Sequence, residues 1–282
     1  MIDIRPMRAD DVEDAARWAA AEGWASETRE EFDLFLDHHP GGCLFAESLG
    51  RRAGVCVATP YDGQGFIGEL LVARDFRGKG VGPMLFDRAV EHLRTLGCRS
   101  ISLDAVPRAV AFYESRGFRP VARSLRFRGR IPARLAEGVR PMTPADLGAV
   151  AELDRQSFGQ DRTPFLRRRL ELAPELAWLR TAKTSLAGYI FGRRRPPFAW
   201  AGPWWSDPID PNPAALLAAF AAGAGEVDIC AGVLESNARA LAVLSSLGFR
   251  RQPRPSLRMT LGPGETPGSH PSLLAIGTAA KG

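Results

Sequence analysis

The stretch 70-LLVARDFRGKGVGPMLFDRAVEHL-93 joins an apolar run to a second, periodic apolar run through a turn rich in glycine and basic residues. The first run predicts a strand that ends near Ala73, and the spacing of the second predicts a helix over 81–96 that stops at Gly97. A strand, a glycine-rich turn and a helix in this order can bind phosphate. The first turn of a helix offers unpaired N–H groups and the positive end of the helix dipole.

Two common phosphate-binding loops do not match this turn. A P-loop requires Ser or Thr directly after its lysine, but Gly80 follows Lys79. The dinucleotide pattern G-x-G-x-x-G requires a glycine where the chain has Pro83, a residue that suits an early helical position because no N–H is needed there. The turn therefore belongs to another class, or it is a purely structural loop.

The chain also repeats itself. Arg5-Pro6-Met7, followed by Asp11, recurs as Arg140-Pro141-Met142, followed by Asp146. The segments 115-SRGFR-119 and 124-SLRF-127 are echoed by 246-SLGFR-250 and 256-SLRM-259. Three echoes in one order at nearly constant spacing predict a single fold used twice, with the seam near 131-IPARLAEG-138.

Hydrophobic periodicity predicts the same order of elements in both copies. The first copy has predicted strands at 2–7, 43–48, 52–59, 66–73, 100–104 and 121–127, and predicted helices at 10–21, 28–37, 81–96 and 108–116. The second has predicted strands at 139–142, 177–182, 185–193, 198–205, 226–230 and 254–260, and predicted helices at 144–158, 163–173, 213–222 and 235–247.

Composition narrows the function classes. The chain has 282 residues, 45% hydrophobic and 24% charged, which is typical of a soluble globular protein. It has no apolar run of membrane-spanning length and no signal-peptide pattern at its start, so we expect no membrane partner and a cytoplasmic location. The four cysteines are scattered in apolar settings, which predicts buried free thiols rather than a disulfide or metal site. The basic surplus is mostly dispersed arginine, so we expect no nucleic-acid partner.

Charge is polarised along the first copy. Residues 9–38 carry ten acidic side chains against Arg17 and Arg29, whereas residues 74–130 carry thirteen basic side chains against five acidic ones. The basic segment suits a polyanionic ligand, and the acidic one favours a cationic second ligand. Two amphipathic helices with acidic outer faces would give the same acidic pattern.

The loop and a second motif together resemble a known family. The sequence V-A-R-D-F-R-G-K-G-V-G is similar to the R/Q-x-x-G-x-G/A motif of the GNAT superfamily of acyl-CoA-dependent N-acyltransferases, matching at Arg77, Gly80 and Gly82. The segment 112-FYESRGF-118 looks like the family's F/L-Y-x-x-x-G-F. The resemblance covers the whole first copy, and the chain is similar to a bacterial group of tandem GNAT proteins.

The resemblance implies an α/β (α+β) fold with two tandem GNAT-like domains, each a mixed, mostly antiparallel sheet flanked by helices. It implies a catalytic GNAT acetyltransferase domain at 1–131 and a degenerate GNAT-like domain at 132–282. It also implies acetyl-CoA as the co-substrate, with no metal, and a small-molecule or peptide amine as the acceptor. A non-catalytic acyl-CoA sensor remains the alternative.

The family's site residues carry over to positions in the first copy. The backbone at Leu71 and Val72 would pair with the pantetheine arm of coenzyme A. The pyrophosphate would meet the N–H groups of the loop, namely Arg77, Gly78, Lys79, Gly80, Val81 and Gly82.

The resemblance also implies catalytic roles. Tyr113 would be the general acid, since a phenol can protonate a departing thiolate. The family's usual asparagine six residues before its aromatic pair is Val106 here, which departs from the pattern. Glu69 is a candidate base, and Asp104 is an alternative base or an anchor for the amine.

The second copy resembles the fold without the site. Prolines replace the glycines at its turn in 198-FAWAGPWWSDPIDPNPAALL-217, and Leu244 stands at the tyrosine position. We expect Trp204 and Trp205 to fill the space a cofactor would take, and Asn237 to cap the helix that follows it. The adjacent His38 and His39 predict a solvated loop rather than a metal site.

Overall fold

The computed structural model describes residues 1–24, 27–182, 185–264 and 266–278. The contacts divide the chain into two compact units. The first contains Met1–Leu103 with Leu261–Gly264, and the second contains Asp104–Thr260 with the described residues 266–278.

The first unit is a sheet with three helices. Its strands are β1 (Ile2–Pro6), β2 (Cys43–Ser48), β3 (Arg51–Pro60), β4 (Gln64–Val72) and β5 (Ser100–Ala105), whose end passes into the second unit. Its helices are α1 (Val12–Ala21), α2 (Arg29–His38) and α3 (Val81–Thr95). The strands lie in the order β1-β2-β3-β4-β5, and only β4 and β5 run parallel.

The second unit repeats this plan around a longer sheet. Its helices are α4 (Val110–Glu114), α5 (Leu147–Phe158), α6 (Thr163–Leu172), α7 (Ala214–Ala224) and α8 (Ala238–Ser246). Its strands are β6 (Arg119–Gly129), β7 (Val139–Pro141), β8 (Trp178–Ala182), β9 (Ser185–Arg195), β10 (Phe198–Ser206), β11 (Asp228–Leu234), β12 (Arg250–Arg251), β13 (Ser256–Leu261) and β14 (Leu273–Ala275). The order is β13-β6-β11-β10-β9-β8-β7, with β12 beside β6 and β14 beside β10.

The compact units do not coincide with the two sequence copies. Strand β6 belongs to the first copy, yet it pairs antiparallel with β11 and β13, which both belong to the second. Residues 104–131 are therefore grouped with the second unit. The seam near 131–138 stays a prediction about the sequence repeat.

The repeated R-P-M…D motif forms the same structure twice. Arg5 bonds Asp11 at 2.6 Å, and Arg140 bonds Asp146 at 2.6 Å. In each copy the aspartate also accepts the backbone N–H three residues before it, at 2.8 Å. Hydrogen bonding from Arg140 holds the pKa of Asp146 well below its usual range. The motif therefore fixes the start of the first long helix in both copies.

Most predicted elements are confirmed, and the predicted strand 43–48 matches β2 residue for residue. The predicted helix 108–116 is shorter as α4, because a 3-10 turn over Pro107–Ala109 precedes it. Strands β12 and β14 were not predicted. All four cysteines are buried free thiols, as expected. None of the helices within the described ranges is long and apolar enough to cross a bilayer.

One prediction about the first unit is wrong. The ring of His39 does not lie in a solvated loop: it is partly buried, and its Nε2 lies 2.8 Å from Nε2 of His92 on α3. Burial, His92 and His38 lower the pKa of His39, while burial and Arg88 lower the pKa of His92. Two imidazoles at this distance share one proton, so the contact requires that at least one ring is neutral.

This pair predicts a pH-dependent stability. Both folded-state pKa values lie below the unfolded value of about 6.5, so the unfolded chain binds more protons and stability is lost as pH falls through that value. We expect the free energy of unfolding to fall less between pH 7.5 and 5.5 in His92→Gln than in the wild type, measured by urea denaturation. His270→Gln, at an exposed histidine, is the control and should keep the wild-type slope. Equal slopes in all three proteins would contradict the shared proton.

Candidate active site

The site begins where β4 separates from β5. The two strands pair only from Gln64–Phe66 to Ser100–Ser102. Opposite β3, the register of β4 then shifts, so that Glu69 and Leu70 together face Cys56. Glu69 adopts a φ of 52°, in the left-handed region. This β-bulge bends the strand, and the last residues of β4 do not pair with β5.

The edge of β4 at Leu71 and Val72 depends on a glycine of the neighbouring strand. A Cβ at Gly54 would lie 2.7 Å from the Leu71 carbonyl oxygen and 3.0 Å from Leu85 of α3. Only glycine allows β3, β4 and α3 to approach this closely. The position of the strand edge is therefore set from behind by packing.

The glycine-rich loop follows directly. Gly78 and Gly80 have φ values of 72° and 84°, and Gly80 caps the N-terminus of α3. A Cβ at either position would meet no atom within 4 Å, so the requirement for glycine comes from the backbone conformation and not from crowding. A glycine cap of this kind suits an anion site, because the first N–H groups of a helix have no partner within the helix.

The side chain of Arg77 makes contacts within the protein. Its Nε donates to the Val72 carbonyl at 3.1 Å, and its guanidinium pairs with Glu22 at the end of α1. The side chain therefore ties the loop to the strand end and to α1. Its backbone N–H, which was predicted to be part of the anion site, donates to the Arg74 carbonyl at 3.3 Å.

A cleft of about 460 Å³ lies on the α1 side of this strand end. Its lining includes Trp18, the segment 71–77, and the arginines Arg17, Arg51 and Arg52. Several acids of the polarised segment pair with these arginines: Asp14 with Arg17 and Arg52, and Asp10 with Arg52 at 3.1 Å. Together with the pair between Glu22 and Arg77, these contacts neutralise part of the acidic surface that the sequence suggested.

The candidate base Glu69 is almost completely buried, with 5% of its surface exposed. It lies near the thiol of Cys56, whose pKa is raised by burial and by the Glu69 charge. Glu69 is therefore not a plain strand residue that faces solvent. Its burial and its place at the bulge set it apart from an ordinary strand carboxylate.

Tyr113 lies on α4 in the second compact unit and is partly exposed. Its ring lies edge-on to Phe112, with 5.1 Å between centroids, and tilted against Phe118 at 6.2 Å. These aromatic contacts fix the ring orientation and leave part of the side chain accessible.

The carboxylate of Asp104 is bonded to several neighbouring side chains. Its side chain is fully buried and pairs with the equally buried Arg258 of β13. Ser124 donates to it at 2.7 Å, and Arg126 lies 3.7 Å away. Arg258 also donates to the Pro267 carbonyl at 2.7 Å. These bonds take up most of the acceptor capacity of the carboxylate, so the geometry favours Glu69 over Asp104 as the candidate base.

The sequence did not reveal the pair of Arg258 with Asp104 or the second hydrogen bond of Asn237. Asn237 caps α8, since its Oδ1 accepts from Ala240 N at 2.9 Å, which confirms the predicted cap. Its Nδ2 also donates to the Leu273 carbonyl at 2.8 Å. No local pattern signals either contact, because Arg258 lies 154 positions from Asp104 and Asn237 lies 36 positions from Leu273.

Both halves of the chain match models of one protein family. Residues 9–118 match the model described as the acetyltransferase (GNAT) family, and residues 150–274 match the model described as an acetyltransferase (GNAT) domain.

Curated relatives match part of the chain. Mycothiol acetyltransferase from Propionibacterium freudenreichii is 36% identical over 143 residues, which cover 41% of this chain and 46% of that protein. N-alpha-acetyltransferase 30 from Dictyostelium discoideum is 25% identical over 103 residues, which cover 34% and 56%. The chain spans about half the length of these relatives.

Solved structures match over the whole length. A putative acetyltransferase from Pyrococcus horikoshii has a TM-score of 0.84 at 25% identity, covering 100% of this chain and 96% of that one. A tandem GNAT protein from the clavulanic acid biosynthesis pathway has a TM-score of 0.65 at 18% identity, covering 94% and 100%. The second likeness shows the fold alone.

The buried pair of Asp104 and Arg258 predicts a large structural effect. Arg258→Met leaves a buried carboxylate without its main partner, which should lower the free energy of unfolding by about 3–5 kcal/mol. Adding Asp104→Asn should recover part of this loss, because the uncompensated charge is then removed. Chemical denaturation measures both effects.

The matched control is Arg123→Gln, which removes an exposed pair with Glu235 at 3.6 Å and should cost at most about 1 kcal/mol. If Arg258→Met cost no more than this control, Asp104 would be free to serve as a base.

Proposed function

The chain is a tandem member of the GNAT acetyltransferase family, and from this premise we propose that it is an acyl-CoA-dependent N-acetyltransferase whose first copy binds the donor. One observation carries the proposal: β4 bulges and leaves β5 immediately before a left-handed glycine loop at the start of α3. An open strand edge followed by an anion site suits a ligand with an amide-bearing arm and a pyrophosphate.

In this proposal the chain grips the donor through its backbone. The edge at Leu71 and Val72 pairs with the pantetheine arm, and an N–H there faces the thioester carbonyl, where negative charge develops. The N–H groups of the loop from Gly78 to Gly82 receive the pyrophosphate, because that of Arg77 donates to Arg74 and Pro83 has none. The side chain of Arg77 keeps the loop in position through Val72 and Glu22.

The chemistry is a direct transfer. The acceptor amine forms a bond to the acyl carbon, and the bond between that carbon and sulfur breaks. Glu69 takes the proton from the amine, directly or through water, and Tyr113 gives its phenolic proton to the departing thiolate. The place of Glu69 supports its role, since the bulge holds this buried carboxylate on the strand that is proposed to bind the donor.

We propose an amine of a small molecule or a peptide N-terminus as the acceptor. The relatives named for mycothiol and for N-alpha acetylation support this class. The acidic segment 9–38 supports a cationic acceptor, although its pairs with Arg17, Arg52 and Arg77 reduce the charge that remains. Only a panel of amines will identify the compound.

Gly80→Glu tests the donor site. A carboxylate at the start of α3 would repel the pyrophosphate, so we expect calorimetry to show no acetyl-CoA binding. Gly97→Glu is the matched control: Gly97 has a φ of 82°, lies at the other end of α3 and also has no atom within 4 Å of a Cβ. It carries the same charge and backbone strain and should bind the donor normally. Equal binding by both variants would contradict the loop assignment.

Tyr113→Phe tests the general acid. Loss of the phenolic proton should lower kcat by ~10²–10⁴ while the affinity for acetyl-CoA stays unchanged, because the ring contacts with Phe112 and Phe118 remain. A thiol-release assay across an amine panel measures this. Unchanged turnover would remove Tyr113 from the chemistry, and donor binding without turnover on any amine in the wild type would favour the acyl-CoA sensor.

A further inference from the structure

In the second unit, a segment of the chain lies where two parallel strands separate. Strands β10 and β11 pair from Phe198–Ala201 to Asp228–Ala231 and then diverge. Strand β14 enters between them: Ala275 pairs with Trp204 and Leu273 with Trp205. On the other side, Ile276 N donates to the Gly232 carbonyl of β11 at 2.9 Å. Segment 272–276 therefore bridges the gap between the two strands.

The strand register shows that the gap between β10 and β11 corresponds to the one between β4 and β5 in the first copy. In the first copy Gly54 of β3 faces Val72 of β4, and in the second Gly188 of β9 faces Ser206 of β10. Ser206 thus occupies the position of Val72. Its backbone N–H donates to the Ser272 carbonyl at 2.9 Å. In the first copy, the backbone N–H at this strand end is proposed to face the ligand. In the second copy, the equivalent N–H donates to a carbonyl of the protein's own chain.

Three residues of the second unit, Gly202, Gly232 and Asn237, contact this segment closely. A Cβ at Gly202 would overlap the Ile276 carbonyl oxygen, and one at Gly232 would lie 3.0 Å from the Ile276 side chain. Asn237 caps α8 with its oxygen and holds the Leu273 carbonyl with its nitrogen. Leu274 is fully buried in the same core that contains Trp204.

We propose that the gap between β10 and β11 is the donor groove of the second copy, and that segment 272–276 occupies it as an internal substitute for the pantetheine arm. The assignment of this gap as a donor groove rests on the proposed function. The finding that segment 272–276 fills the gap does not depend on it. The groove takes an extended, amide-bearing arm without phosphates, because Pro208, Pro211 and Pro213 remove N–H donors from the turn after β10.

Displacement of the segment in the full chain tests the occupation. Leu274→Asp places a charge in the apolar core and should release the segment, so we expect amide hydrogen exchange at Ser206 and Ile276 to become at least ~10-fold faster. Pro271→Asp adds the same charge at the exposed residue just before segment 272–276 and should leave both amides protected.

Gly232→Val provides a second route, since its side chain displaces Ile276 from the β11 side. Circular dichroism shows whether each variant is folded. If both folded variants kept the wild-type protection at Ser206 and Ile276, the segment would not be a separable occupant and the proposal would fail.

Binding of S-acetyl-pantetheine, a donor without pyrophosphate, tests the identity of the groove. The experiment compares the Gly80→Glu protein with and without Leu274→Asp, so that any S-acetyl-pantetheine bound along β4 in the first unit is common to both. The competitor is a peptide with the sequence of residues 266–278. We expect the second unit to bind no S-acetyl-pantetheine while segment 272–276 is in place, and about one molecule per chain when Leu274→Asp is added. The peptide should abolish this new binding, and a peptide carrying the same Leu-to-Asp change should not.

Release of the segment without any new S-acetyl-pantetheine binding would overturn the proposal. Failure of the proposed function would look different: the wild type would neither bind acetyl-CoA nor release thiol, while the exchange experiment would still report on segment 272–276.

Discussion

Two parallel strands that pair for three or four residues and then separate leave backbone N–H and C=O groups that something else must satisfy. Within the described residues this situation occurs twice, after Phe66 in β4 and after Ala201 in β10. In each case the register against the preceding strand shifts as the strands part. In the first copy this strand edge is the feature on which the proposed function depends, because the last residues of β4 do not pair with β5.

The two copies satisfy this requirement in different ways. In the first, β4 runs into a loop whose left-handed glycines direct the start of α3 toward an anion, so edge and loop together suit a long phosphorylated ligand. In the second, the corresponding turn contains prolines, and segment 272–276 makes the missing backbone bonds. A single fold would thereby yield one proposed ligand site and one closed, well-packed unit.

The charged residues around the loop of the first copy agree with a ligand site there. The loop and its surroundings are basic, and the nearby arginines are held in place by the acids of α1 rather than left mobile: Arg52 bonds Asp14 at 2.5 Å, and Arg77 pairs with Glu22. Asp104 lies instead in a buried network with Arg258 and Ser124. Such pairs fix geometry more than they add stability, since desolvation offsets much of their attraction.

The sequence predicted what depends on local pattern. The glycine loop, the helix behind it, and the repeated Arg5…Asp11 and Arg140…Asp146 motif all follow from residues within about one turn of each other. The sequence did not predict contacts between distant residues: His39 with His92, Asp104 with Arg258, or Ser206 with Ser272. Strand β14 was missed because three apolar residues between turn residues have no periodicity to read, and the bulge at Glu69 was missed because its register is set by Cys56 on another strand.

A crystal structure of the full chain with acetyl-CoA tests the central claim most directly. The account predicts one donor molecule per chain, with its arm along the backbone at Val72 and its pyrophosphate at the N–H groups of Gly80 to Gly82, while segment 272–276 stays bonded to Ser206. A donor bound along β10 with that segment displaced, or a donor bound in the first unit away from the β4 edge, would contradict it.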